Sequence, residues 1–171
     1  MTANITDSRT TPSEGSFEVR RAQPSDLVAV QELLTRSSLP TVGVAEALDG
    51  FFVADVGGTI VGVVGVETCC DQFGLLRSTA VDAAWRSRGV GRQLVERAVA
   101  DSEARGFDAL YLLTTTAERY FPSFGFKTTP RDAVPAAIKA TAEFSSACPA
   151  SATVMALELT MAQPRAAVPD F

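Results

Sequence analysis

Histidine is missing from all 171 residues. That absence removes Ser-His-Asp and Cys-His nucleophilic systems and leaves a catalytic zinc site without its commonest ligand. Any catalytic base must then be a carboxylate, a perturbed lysine or tyrosine, or a relayed water. Cysteine is scarce. Cys69, Cys70 and Cys148 are an odd number, which does not suggest a disulfide framework and points to a reducing, cytoplasmic setting. No apolar run approaches the roughly 20 residues of a membrane helix, and the polar N-terminus carries no secretory pattern. A net charge of −5 argues against a general nucleic-acid binder. The expectation is a protein with no metal, no membrane span and no nucleic-acid partner.

What is present suits one domain of about 140 to 150 residues, and an apolar share of 46% can fill its core without cross-links. Residues 1–16 are rich in Thr, Ser, Asn and Gly and read as a disordered tail, and 161–171 read as a loose one. Between them, Phe17–Arg20 alternates as a strand. Pro24 suits the start of a helix whose apolar face is Leu27, Val30, Leu33 and Leu34, and a short helix is expected over Val44–Leu48. Phe51–Val56 and Ile60–Val66 flank Gly57-Gly58, a hairpin signal. Gly62 and Gly65 inside the second strand mark a bulge or a close backbone approach. A strand over 75–81, a helix over 89–105 and a strand over 108–114 form a β-α-β unit, so those strands should be parallel. A short helix over 117–124, a strand near 126–129, a helix within 133–146 and a strand over 153–159 follow. The sum is a mixed α/β sheet with helices on both faces.

Where the first strand of the β-α-β unit becomes its helix, the chain reads Arg86-Ser87-Arg88-Gly89-Val90-Gly91. Glycines at such a corner let the backbone approach a ligand, and the N–H groups opening the helix point at an anion. Between Arg77 and Arg97, five arginines face only Asp82 and Glu96, giving +3 locally in a chain that is acidic overall. A basic knot at a helix N-terminus fits a diphosphate.

Arg-x-x-Gly-x-Gly at this place resembles the acyl-CoA signature of the GNAT N-acetyltransferases. Ala117, Phe121, Gly125 and Phe126 are similar to that superfamily's later motif, usually Ala…Tyr…Gly-Phe. The resemblance runs from about Phe17 to Leu159. It implies a mostly antiparallel sheet of six to seven strands in which the parallel pair splays apart to take an acyl chain. It implies acetyl-CoA held by Thr79, Ala80, Val81, Arg86, Ser87, Arg88, Gly89, Val90, Gly91, Arg92, Ala117 and Phe121, with backbone N–H groups near Val81 stabilising the oxyanion. The reaction implied is direct attack of an amine on the thioester. A homodimer is common in similar domains.

For the catalytic groups, Glu67 closes an apolar strand and is the candidate base; a solvated strand end is the alternative. The usual tyrosine falls on Phe121, which has no proton to give. Tyr120 beside it is the candidate acid for the thiolate, and a hydroxyl of Ser78 or Thr115, or water, is the alternative. Arg77 interrupts an apolar strand and must meet an anion, either Glu67 or Glu143 or a substrate group. Ser78, Thr115 and Thr116 offer hydroxyls to the same acceptor pocket. Adjacent Cys69 and Cys70 could in principle chelate a soft metalloid, but a pair in a loop is usually incidental. Residues 76–81, 112–118 and 140–151 are also similar to the second branch of the arsenic-resistance N-acetyltransferases. That narrower resemblance implies a small amino-acid-like anionic amine, such as arsinothricin or phosphinothricin. An acetyltransferase for another amino acid, an antibiotic or a protein N-terminus, and a non-catalytic acetyl-CoA sensor, are the competing expectations.

Overall fold

Along Phe51–Val56 successive side chains alternate in direction, and Phe51, Phe52, Val53 and Ala54 are all fully buried. A strand buried on both faces needs a layer above and a layer below. The computed structural model, which describes residues 15–147 and 149–159, supplies both. The expected tails over 1–14 and 160–171, and Cys148, lie outside the described residues.

Seven strands form one sheet: β1 (Glu18–Arg21), β2 (Phe51–Val56), β3 (Thr59–Thr68), β4 (Phe73–Val81), β5 (Ala109–Thr114), β6 (Lys127–Thr128) and β7 (Thr153–Glu158). Their order is β1-β2-β3-β4-β5-β7-β6. Neighbours run antiparallel except β4 and β5, which are parallel. The β2–β3 turn has positive φ at both Gly57 and Gly58, as a type I′ hairpin demands.

On one face lies α3 (Val90–Ala104), whose Val90, Leu94, Val95 and Ala98 pack with Phe52, Ala54, Val64, Val66 and Leu76. A Cβ on Gly62 would stand 2.8 Å from both Leu94 Cδ1 and Val90 Cγ1. The absent side chain therefore sets how close the helix comes. Gly106, at φ +81, ends the helix. Its N–H donates to Glu103 O while Phe107 N–H donates to Ser102 O, the paired bonds of a Schellman cap. On the opposite face, α1 (Leu27–Arg36) packs Val30, Leu33 and Leu34 with Phe51, Val53 and Val63, and α2 (Val44–Ala47) adds Val44. Farther along, Val134 and Ile138, the latter on α4 (Ala136–Lys139), cover Leu75 and Val154.

Two features of the sheet make the site. The β4–β5 register covers only Phe73–Leu75 against Ala109–Tyr111, after which the strands separate. In the β3–β4 pair, Val63 faces Ala80 and Gly65 faces Arg77, so β4 carries an extra residue between them. Ser78 sits in this bulge with φ +57, and β4 bends away from its parallel neighbour.

The helix expected within 133–146 is two pieces, α4 and a π-helical turn over Glu143–Ala147. Thr141 divides them. Its hydroxyl donates to Ile138 O at 2.8 Å and accepts from Phe144 N–H at 3.3 Å, in competition with the helical ladder. The helix expected over 117–124 is a single 3₁₀ turn, Phe121–Phe124. Ahead of it the Thr114 hydroxyl accepts from the N–H groups of Thr116 and Ala117, fixing a loop. Among the described residues, no helix is long and apolar enough to cross a membrane.

Candidate active site

Where β4 and β5 part, a cleft of about 580 Å³ opens between them and runs to the N-terminus of α3. At that end Ser87 and Gly89 both hold positive φ, +62 and +80, which turns the chain so that α3 begins at Val90. The first intrahelical bond of the turn is Gln93 N–H to Gly89 O, so the amides of Val90, Gly91 and Arg92 precede the ladder. Nothing lies within 4 Å of where a Gly89 Cβ would be. Arg86 is steadied by its Nε donating to Val81 O at 3.3 Å, and Arg92 by its Nε donating to Glu96 at 2.8 Å. This cradle of backbone donors and guanidiniums, open to solvent at one end of a long cleft, fits a diphosphate that continues into a chain.

Thr79, Ala80, Val81, Arg86, Ser87, Gly89, Val90, Gly91, Arg92, Ala117 and Phe121 all line the cleft, together with Tyr120, Arg77, Ser78, Thr115 and Thr116. Two of the residues marked in the sequence stand elsewhere. Arg88 lays its guanidinium over the Trp85 ring, 4.8 Å from the centroid, outside the lining. Glu67 lies on the wall of a second cavity, of about 590 Å³, with Glu46, Asp49 and Asp101. There its carboxylate accepts from Arg77 Nη1 at 3.0 Å.

Arg77 is the buried hub of this region, its side chain only 1% exposed. Besides Glu67, it donates through Nη2 to Val42 O at 2.6 Å, pairs with Glu143 Oε2 at 3.1 Å and reaches Ser78 Oγ through Nε at 3.3 Å. Of the anions open to it, protein carboxylates on two different elements are the ones it meets.

Tyr120 and Phe121, beside and at the position of the motif's usual tyrosine, differ in their surroundings. Phe121 is buried against Phe126, ring centroids 5.8 Å apart. Tyr120 is 40% exposed in the cleft, and its phenol oxygen lies 3.0 Å from where a Gly91 Cβ would stand. A hydroxyl therefore faces the opening of α3. Burial pushes the phenol above its ordinary range, with Arg92 pulling it partly back, so the group holds its proton at neutral pH. Cys69 is pushed up to about 12, chiefly by burial, which keeps it a thiol. Among the described residues, no group of three or more Cys, Asp or Glu could hold a metal.

The sequence did not single out Trp85 or the lip Ser38, Leu39 and Pro40, all of which line the cleft. The signal for Trp85 was its place beside Arg86; for the lip there was only Pro40 closing α1.

Residues 47–128 match the family model described as an acetyltransferase (GNAT) domain. An amino-acid acetyltransferase of Mycobacterium tuberculosis is 30% identical over 119 residues, 63% of this chain and 67% of that protein. The chain belongs to the GNAT acetyltransferases. A second relative, an uncharacterized N-acetyltransferase of Chlorobaculum tepidum, is 30% identical over 92 residues, and the match spans 54% of this chain and 59% of that protein. The GNAT fold is shared with Rv2747 of Mycobacterium tuberculosis, crystallised with CoA and NLQ, at a TM-score of 0.72 and 24% identity over 84% of this chain and 99% of that one. It is shared also with the N-acetylglutamate synthase of Neisseria gonorrhoeae, crystallised with coenzyme A and N-acetyl-glutamate. That TM-score is 0.73 at 17% identity, over 85% of this chain and 35% of that one. In the GNAT family acetyl-CoA is the acyl donor.

Proposed function

We propose that this GNAT chain is an acetyl-CoA-dependent N-acetyltransferase whose acceptor is the amino group of a small amino-acid-like molecule. The observation that carries this reading is the one cleft that joins the diphosphate cradle at α3 to the gap between β4 and β5. Bound acetyl-CoA would supply an activated acetyl thioester. The amides of Val90, Gly91 and Arg92, with Arg86 and Arg92, would bind its diphosphate, and Ala117 and Phe121 would pack along its chain. Tyr120 would give its proton to the departing sulfur. Thr115, Thr116 and Ser78 would turn hydroxyls toward the acceptor, and Arg77 would fix the acceptor pocket from beneath by holding Val42 and Glu143.

Amino acids are favoured as acceptors because Glu143 and Pro149 wall the cleft, as a small pocket needs and an open peptide groove does not. The relatives named for amino-acid and glutamate acetylation agree with this class. Within it, the narrowest reading is an anionic amine of the arsinothricin or phosphinothricin type, carried by the resemblance of residues 140–151 to the arsenic-resistance enzymes.

Trp85 is the only tryptophan and lines the cleft, so its fluorescence should change on titration with acetyl-CoA. Thiol release is then followed with L-glutamate, L-glutamine, phosphinothricin and a peptide N-terminus. The expected result is turnover of one or more amino acids and none of the peptide. Acetyl-CoA binding without thiol release from any amine would establish a sensor instead.

A further inference from the structure

We propose that Glu143 is the catalytic residue that receives the proton of the acceptor's ammonium, an assignment that rests on the N-acetyltransferase reading. Among the described residues lining the cleft, Glu143 is the only carboxylate. The other ionisable groups there are the guanidiniums of Arg77, Arg86 and Arg92 and the phenol of Tyr120, which holds its proton. With no histidine in the chain, the described residues of the cleft offer one carboxylate as proton acceptor.

Its placement fits the task. Arg77 Nη2 binds Glu143 Oε2 at 3.1 Å, and Arg77 immediately precedes Ser78, the bulge residue at which β4 leaves β5. Glu143 thus lines the same cleft as the β4 and β5 residues flanking the gap in which the acyl group is expected. It is 7% exposed yet reaches the cleft, so an ammonium meeting it would be largely stripped of water. The π-helical turn holding Glu143 is pinned by Thr141 on one side and on the other by Phe144, under the Arg131 guanidinium.

The ammonium gives one proton to the Glu143 carboxylate. The freed nitrogen pair bonds to the acetyl carbonyl carbon as the carbon–sulfur bond breaks, and sulfur leaves with that bonding pair. Sulfur takes a proton from Tyr120, which regains one from the second hydrogen shed by nitrogen. The products are an amide, a thiol and one proton passed from Glu143 to solvent.

The experiment compares wild type with Glu143→Gln, Glu143→Asp and Glu67→Gln. Two acceptors are used: the best amino acid of the panel, an ammonium at neutral pH, and hydroxylamine, which is already neutral there. The expectation for Glu143→Gln is a loss of about 10²-fold or more with the amino acid, but little change with hydroxylamine. Glu143→Asp should recover part of the loss, and Glu67→Gln should treat both acceptors alike. A second measurement needs no turnover. In calorimetry with saturating CoA, wild type should bind L-glutamate, or phosphinothricin, about tenfold tighter than the deamino analogue, and Glu143→Gln should erase that preference. Equal losses with both acceptors in Glu143→Gln, or an unchanged amine preference, would overturn the assignment while leaving the acetyltransferase reading intact. A wild-type protein that binds acetyl-CoA but acetylates neither acceptor overturns both.

Discussion

Tyr120 and Phe121 are neighbours in sequence with opposite surroundings, and that contrast decides where a proton can come from. Phe121 is packed into the core beneath the cleft, and Tyr120 lies in the cleft with its hydroxyl by Gly91. Tyr120→Phe should therefore lower kcat by roughly 10²-fold while leaving acetyl-CoA affinity nearly unchanged, as read by thiol release and by Trp85 fluorescence. The pH dependence follows from the same burial. The donor must be protonated, and its range is raised, so the alkaline fall of wild-type kcat should come above the ordinary phenol range. That alkaline limb should vanish in Tyr120→Phe. Its survival there would remove Tyr120 from the chemistry. At this scale the sequence was legible wherever a residue type is forced by its task. Gly89 and Gly91 at the α3 corner and Arg77 inside an apolar strand declared themselves. The value of Glu143 was not legible, because it depends on which of two cavities a carboxylate faces. Glu67, Arg77 and Glu143 form one cluster, and only the folded chain shows the guanidinium standing between the two acids.

Elements with strong periodicity and clear ends were readable in advance: α3, the β2–β3 hairpin and the parallel β-α-β unit, whereas the parting of its two strands was only implied by the family resemblance. The piece from 133 to 146 was not, since a single Thr141 hydroxyl diverts the ladder and no hydrophobic period records it. The α3 corner carries two predictions. Arg86→Ala combined with Gly89→Val should abolish acetyl-CoA binding in the fluorescence titration without unfolding the chain. A β-branched residue there must adopt φ +80, a conformation L side chains rarely take, beside the amides that would meet the diphosphate. An unchanged dissociation constant would remove the coenzyme from this corner. Gly62→Ala tests the other side of the same helix. Its new Cβ would stand 2.8 Å from Val90 Cγ1 and Leu94 Cδ1, so these buried side chains, or α3 with them, must shift. A loss of about 1–3 kcal/mol is expected in urea unfolding. Acetyl-CoA should also bind more weakly, because Val90 is the first residue of the cradle's helix. Wild-type stability would mean that the helix is not held at that distance.

For the molecule as a whole, Arg77 ties together parts that the sheet alone does not connect. It joins the segment after α1 through Val42 O, the end of β3 through Glu67, and the π-helical turn through Glu143. Two of these three pieces wall the cleft, and the third borders the second cavity. Removing the guanidinium leaves two carboxylates facing each other, Glu143 nearly buried and Glu67 about a quarter exposed. Arg77→Met should then cost about 3–5 kcal/mol in urea unfolding, the range found when one partner of a buried ion pair is lost. The triple variant Arg77→Met, Glu67→Gln, Glu143→Gln removes both carboxylate charges along with the hub. It should recover most of that stability, since a buried ion cluster replaced by neutral groups of similar volume is often close to neutral. Activity should not return with stability, because neither Glu143 nor the fixed cleft walls are restored. Recovery of turnover in the triple variant would make the cluster a purely structural tie. An Arg77→Met variant as stable as wild type would mean that the three segments are held by packing alone.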